Sequence, residues 1–365
     1  MGFDEKENDR TGKGLSPAPR LSRCFSGSCI QDAIDNDRML SLSIKLPCAC
    51  NLKCVYCYSE VKTAGMGFRD FERIFYESAE LGCRSVSIIG EGEPLLYKDK
   101  ESGKDVSDVI RSANNAGLEA VLFTNNVLVD ERWAAVLYKL DVCVVCKLNS
   151  LDPDIQDFFS GVKGAHKKIS DGLSLLEKTG FTRPRRRLSV HTVICRHNYE
   201  ELPALWKYLR RRGIIPYFQV FVPPANHNSV YTNDLIVEKN KIRELFYLLA
   251  KIDEEFGFTW DPEKTYPIAG LGCSVVKTGC CVNSSGGVQL CGYVEGELGN
   301  IRERPLAEII ADEKVRKIRR YEYYGNEGRS RHFYGCRAAA FNTAGDRYAK
   351  DCFFFGEEPE RIKND

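Results

Sequence analysis

The sequence predicts an α/β fold: a parallel sheet covered by helices, followed by a smaller cysteine-rich region. Three observations carry this. From residue 41 to about 225, short apolar runs rich in Val and Ile alternate six times with amphipathic segments of helical period. The runs are mostly apolar on both faces, as strands buried in a parallel sheet are. After Pro223-Pro224 the alternation stops and glycines and cysteines take over.

The strands are expected at residues 42–46, 86–89, 120–123, 142–148, 188–194 and 215–221. Between these strands the helices also declare themselves. Phe71, Ile74, Phe75 and Leu81 share one face, and Gly82 is placed to end that helix. Asp130 can cap a helix carrying Trp133, Val136, Leu137 and Leu140, and Leu202, Leu205, Trp206 and Leu209 repeat the stripe. Six β-α units imply a parallel sheet, doubly wound or curled into a partial barrel, and periodicity leaves both open. A helix over 238–256, with Ile242, Leu245, Leu249 and Ile252 on one stripe, reads as a bridge. The expected organisation is a lead-in over 1–40, a core over 41–228, the bridge over 229–259 and a metal-stapled domain over 260–365.

Composition narrows the function. Lys+Arg (52) and Asp+Glu (51) nearly cancel, so no global charge favours nucleic acid or an anionic membrane. The basic runs Arg183, Arg185–Arg187 and Arg210–Arg212 flank strands and read as solvated loops or helix ends. No apolar stretch approaches the roughly 18–20 residues of a membrane span. Residues 1–20 are polar, lack the apolar stretch of a signal peptide and read as a disordered lead-in. A cytoplasmic protein is expected. In that reducing compartment, 16 cysteines point to metal or redox chemistry sooner than to disulfides.

The decisive stretch follows the first strand: Pro47-Cys48-Ala49-Cys50-Asn51-Leu52-Lys53-Cys54-Val55-Tyr56-Cys57-Tyr58. Cys50, Cys54 and Cys57 are spaced C-x3-C-x2-C, tight enough for one loop to wrap a small cluster. Three thiolates on a [4Fe–4S] cluster leave one iron without a protein ligand, where a small molecule can bind. Zinc on Cys54 and Cys57 would want a second C-x2-C pair, and the other such pair, Cys143/Cys146, falls inside a strand. Cys48 is taken as a non-ligand.

The loop resembles the signature of the radical S-adenosylmethionine (SAM) superfamily, including the aromatic Tyr56 before the last cysteine. The resemblance implies a partial (β/α)6 barrel of the TIM type over residues 41–225. It also implies that SAM chelates the open iron and that one electron cleaves it to a 5′-deoxyadenosyl radical, which takes hydrogen from a substrate. The second strand runs into Gly90-Glu91-Gly92-Glu93-Pro94, similar to the family's G-G-E-P segment that holds the SAM amino group. The match falls on Gly92, Glu93 and Pro94, with Glu91 where glycine is usual. Thr124-Asn125-Asn126 is similar to the T-N-G turn, and Lys147-Leu148-Asn149-Ser150 ends the fourth strand, where relatives place SAM-contacting polar residues. Tyr56, Gly90, Gly92, Glu93, Asn125, Asn149 and His191 are therefore the expected SAM-site residues, although His191 and Gln219 equally suit satisfied core polar groups.

Near the C-terminus, Cys273, Gly286 and Cys291 have the spacing C-x12-G-x4-C, followed by Leu298-Gly299-Asn300-Ile301 and by Cys336 and Cys352. This resembles the SPASM and "twitch" extensions that carry auxiliary [4Fe–4S] clusters. Two clusters would want about eight thiolates, so one auxiliary cluster is expected, with ligands drawn from Cys273, Cys280, Cys291, Cys336 and Cys352. Zinc there stays open. Cys280 and Cys281 point different ways, and Cys281 is the candidate hydrogen-atom donor. The implied chemistry is C–H abstraction leading to oxidation, epimerisation or cross-linking, with electrons from a flavodoxin- or ferredoxin-type donor. A small polar substrate such as a sugar or aminocyclitol is slightly favoured over a ribosomal peptide or protein side chain. An iron–sulfur carrier or sensor is the non-enzyme alternative.

Overall fold

The computed structural model describes residues 15–18, 27–59, 61–184, 186–222, 232–262, 274–293, 296–320 and 336–345. Most of the expected lead-in lies outside these residues, as do Arg185, Cys273 and Cys352.

A short strand β1 (Ser16–Pro17) comes first, and the expected strands then follow as β2 (Ser41–Leu46), β3 (Ser85–Gly90), β4 (Glu119–Thr124), β5 (Cys143–Lys147), β6 (Leu188–Ile194) and β7 (Ile215–Val220). Each of β3 to β7 pairs in parallel with its predecessor. A doubly wound sheet reverses its strand order at a switch point, and this one never does. Right-handed crossovers in one continuous direction place every helix on the same face. The other face is left concave, which resolves the two topologies in favour of the partial barrel.

Beyond β8 (Phe258–Thr259), which pairs with β1, the C-terminal region returns to the same sheet. β9 (Gly279–Val282) runs parallel to β2 on its free edge, and β10 (Gly287–Gln289) and β11 (Gly299–Asn300) continue antiparallel. The nine-stranded order is β11-β10-β9-β2-β3-β4-β5-β6-β7. The cysteine-rich region is thus continuous with the barrel through backbone pairing.

Strand parity separates two environments. Leu42, Ile44, Leu46, Val86, Ile88, Leu122 and Val144 face the helices and are completely buried. In register on the other face stand Ser43, Ser87 and Val121, then Lys45 beside Ile89, and Lys147 beside His191 and Tyr217. Ser43, Ser87, Phe123, Lys147, Tyr217 and Gln219 are only half-buried. An apolar group of Val121, Cys143 and Val145, with Phe123 and Tyr217 against it, fills part of this lumen. The charged and polar side chains cluster toward the C-terminal strand ends, the face where barrels place their sites.

The bridging helix runs Lys239–Glu255, and Asp253 fixes it to the barrel. Its buried carboxylate accepts from Arg210 Nε (2.8 Å) and Nη2 (2.6 Å), Trp206 Nε1 (2.6 Å) and Trp260 Nε1 (2.8 Å). Arg210 therefore departs from the solvated role expected of its basic run: it is 9% exposed, and its charge is matched internally. Arg186 and Arg212 likewise pair, with Asp141 and Glu177. Among the described residues no helix is long and apolar enough to cross a membrane.

Candidate active site

The cysteine loop leaves the end of β2 and is clamped from two sides. Lys53 N donates to Ser160 O (3.0 Å) and Val55 N to Phe159 O (3.1 Å) at the end of the helix Pro153–Ser160. Gly161 closes that helix at φ +64°, and a Cβ there would lie 2.2 Å from Lys53 O. On the other side Glu93 N donates to Ala49 O (2.8 Å). A Cβ at Gly92 would sit 2.2 Å from the same Ala49 oxygen, so this glycine lets the turn after β3 pack on the cysteine loop.

The clamped loop sorts its thiols. Cys50 and Cys54 are half-buried and Cys57 is exposed, whereas Cys48 is buried beneath Gly90. Burial pushes Cys48 up to about 12 and Cys54 up to about 11. Cys50 and Cys57 each add to the rise at Cys54, so the three thiols lie within Coulomb reach of one another. Among the described residues no three metal-binding side chains converge as around a single ion; a [4Fe–4S] cluster, each thiolate on its own iron, does not require that. Three neighbouring thiols on one loop clamped from both sides fit the cluster, and the buried Cys48 fits a non-ligand.

Glu93 is 1% exposed. Its Oε1 accepts from Thr124 Oγ1 (2.7 Å) and Leu95 N (3.1 Å), and its Oε2 from Asn125 N (2.6 Å). One acceptor position remains, on Oε2. Burial raises the carboxyl to about 7 against the pull of these donors. Asn125 Nδ2 donates to Asn51 Oδ1 (2.7 Å), tying the turn after β4 to the cysteine loop. Asn126 takes φ +68°, the glycine-like position of that turn. Asn149 Nδ2 donates to Tyr56 Oη (2.9 Å) and its Oδ1 accepts from Val193 N (2.9 Å). Asn149 therefore holds the loop tyrosine in place.

His191 has both ring nitrogens engaged inside the protein. Lys147 Nζ lies 2.9 Å from Nδ1, and an ammonium can only donate, so Nδ1 accepts. The ring proton is then on Nε2, donating to Gln219 Oε1 at 3.0 Å. Burial, then Lys147, hold the imidazole well below its ordinary pKa. Of the two readings open for His191, the satisfied polar group is the one this geometry favours. Lys147 stands 4.9 Å over the Tyr56 ring, and desolvation lowers it to about 8. Tyr293 Oη reaches the same Gln219 oxygen at 3.5 Å, and Tyr58 and Tyr293 pack with ring centroids 4.1 Å apart. Lys45, Tyr58, Tyr217 and Tyr293 were not singled out in the sequence. The signal for Lys45 was available: it is the one charge in the strand SLSIKL.

The C-terminal thiols divide by strand parity. Cys280 pairs with Leu42 on the helix side, near Cys83 and Arg319. Cys281 pairs with Ser43 on the lumen side, where Cys291 is near enough to raise its pKa, and burial takes it to about 12. Cys336 lies near Tyr293 and its sulfur accepts from Ala339 N at 3.4 Å. Cys280 thus stands apart from Cys291, on the opposite face of the sheet.

Comparisons with known proteins agree with this architecture. A family model for the radical SAM superfamily matches residues 44–209, and one for SPASM, an iron–sulfur cluster-binding domain, matches residues 273–337. The chain is 27% identical over 337 residues to an AdoMet-dependent heme synthase of Methanosarcina barkeri, covering 83% of this chain and 92% of that protein. It is 25% identical over 304 residues to an Fe-coproporphyrin III synthase of the same organism, covering 72% and 71%. Streptococcus suis SuiB bound to S-adenosylmethionine superposes with a TM-score of 0.66 at 18% identity, covering 86% of this chain and 77% of that one.

Proposed function

Because the chain belongs to the radical SAM superfamily and is an iron–sulfur enzyme with a SPASM domain, we propose that it oxidises a carboxylate-bearing tetrapyrrole. The observation that carries the substrate class is the likeness to heme synthases along 83% of the chain. The lumen supports it: two lysines and several tyrosine rings suit a flat anionic molecule. This redirects the expectation of a sugar or aminocyclitol, which such relatives do not support.

When bound, the barrel cluster supplies the electron that cleaves SAM and so starts hydrogen abstraction. Cys50, Cys54 and Cys57 hold that cluster. Glu93 takes the SAM ammonium on the free acceptor position of Oε2, while Thr124 and Asn125 keep the carboxylate aimed. Asn149 and Tyr56 close the loop side, and the His191–Gln219 pair steadies Lys147 beside it. Cys291 and Cys336, with Cys273 and Cys352, are the candidates for the auxiliary cluster, and Cys281 remains a candidate thiol of the lumen wall. A flavodoxin- or ferredoxin-type protein is the proposed electron source.

The test is anaerobic incubation of the reconstituted enzyme with dithionite, SAM and Fe-coproporphyrin III. Turnover should release 5′-deoxyadenosine together with a mass change in the macrocycle. An unaltered macrocycle, with 5′-deoxyadenosine formed equally in its absence, defeats the tetrapyrrole reading and moves the search to peptide substrates.

The Glu93 assignment has its own signature. SAM needs the ionised carboxylate, so SAM affinity should fall as pH drops through about 7. Glu93→Gln should keep its iron, bind SAM more weakly by about 1.5–3 kcal/mol, and lose this pH dependence. Equilibrium binding at pH 6 and pH 8 decides it: equal affinity of the parent protein at both removes Glu93 from the SAM site.

A further inference from the structure

Among the described residues of the lumen, Lys45 is a charge with only distant partners. It is 7% exposed, yet among the described residues its ammonium makes no hydrogen bond. Its nearest anion, Glu91 Oε2, is 3.8 Å away, an ion pair without hydrogen-bond contact. Glu91 is held instead from the C-terminal hairpin, by Ser284 Oγ at 3.2 Å. The ammonium lies 5.0 Å over the ring of Tyr58. An ion pair of this kind adds little stability and leaves the ammonium's donors available to a guest.

Glycine at 292 lets its loop pack directly against the Lys45 stem. A Cβ at Gly292 would lie 3.3 Å from Lys45 Cε, 3.6 Å from Tyr58 Oη and 3.7 Å from Cys281 Sγ. An ammonium, a phenol and a thiol therefore converge where residue 292 contributes only backbone. This spot joins the turn that carries Glu93 to the loop that carries Cys291, so a group bound here bridges the SAM side and the auxiliary-cluster side.

We infer that Lys45 anchors a carboxylate of the substrate in the lumen, with Glu91 as the internal anion that holds the ammonium in place until the substrate arrives. The inference rests on the proposed tetrapyrrole reading and names the contact that would select an acidic macrocycle. The guest is a carboxylate rather than a dianionic phosphate because Glu91 stays beside the site and repels charge. The packed rings of Tyr58 and Tyr293 offer a flat apolar wall next to that contact.

The experiment titrates the reconstituted full-length enzyme with Fe-coproporphyrin III and, separately, with its methyl ester, in which every carboxylate is capped. Iron content per chain controls for folding. Lys45→Met should bind the free acid about 10- to 100-fold more weakly and the ester as the parent protein does. Glu91→Gln should bind the acid as tightly as the parent or several-fold tighter, because the competing internal anion is gone. Should Lys45→Met lose iron, Glu91→Gln decides the matter, since a merely structural pair predicts weaker binding there too. Equal weakening of acid and ester in Lys45→Met, or undiminished acid binding, overturns the anchor while leaving the tetrapyrrole reading intact. A parent protein that binds neither macrocycle overturns both.

Discussion

Replacing Cys54 with alanine is expected to abolish SAM cleavage and to remove about four irons per chain, one cluster's worth. The loop offers no substitute. Cys48, the other thiol of that segment, is buried beneath Gly90 and belongs to the helix-side core. Its sulfur is wedged there, only 2.6 Å from where a Cβ at Gly90 would stand. Cys48→Ala should therefore leave cleavage largely intact. Iron analysis and 5′-deoxyadenosine release after dithionite reduction measure both variants. Full cleavage by Cys54→Ala would overturn the cluster assignment, and loss of it in Cys48→Ala would exchange the ligands.

The second large effect separates the two cluster sites. The double variant Cys273→Ala, Cys291→Ala should fall from about eight irons to about four, keep uncoupled SAM cleavage and lose substrate turnover. On the proposed assignment SAM would bind only at the barrel cluster, which dithionite would reduce directly. A purely structural auxiliary site predicts loss of both activities with the fold, because β9, β10 and β11 extend the barrel sheet from β2. A parent protein with about four irons and zinc in the second site would exclude electron transfer there.

Much of the fold was legible because its signals are local. The six barrel strands are short apolar runs, and the four helices read from sequence have their stripe or cap, as with Asp130 capping onto Trp133 N at 2.7 Å. The cysteine loop was legible for the same reason: three candidate ligands within eight residues need no long-range contact to be recognised. Cys280 and Cys281 were expected to point apart, and alternation along β9 does put them on opposite faces. Which of the two joins the lumen was a question of register. Arg210 was misjudged because its partner Asp253 lies 43 residues further on.

The sequence by itself determined the six barrel strands, the four helices with a marked stripe, the three-thiol loop and the turn bearing Glu93, since each depends on residues only a few positions apart. Tertiary structure decided the rest. It chose the barrel over the doubly wound sheet through an unbroken strand order, and it joined the C-terminal hairpin to β2. It also set Lys45 against Glu91 and Ser284, and His191 between Lys147 and Gln219. Those meetings depend on register between strands far apart in the chain, and a one-residue slip would send each side chain to the opposite face.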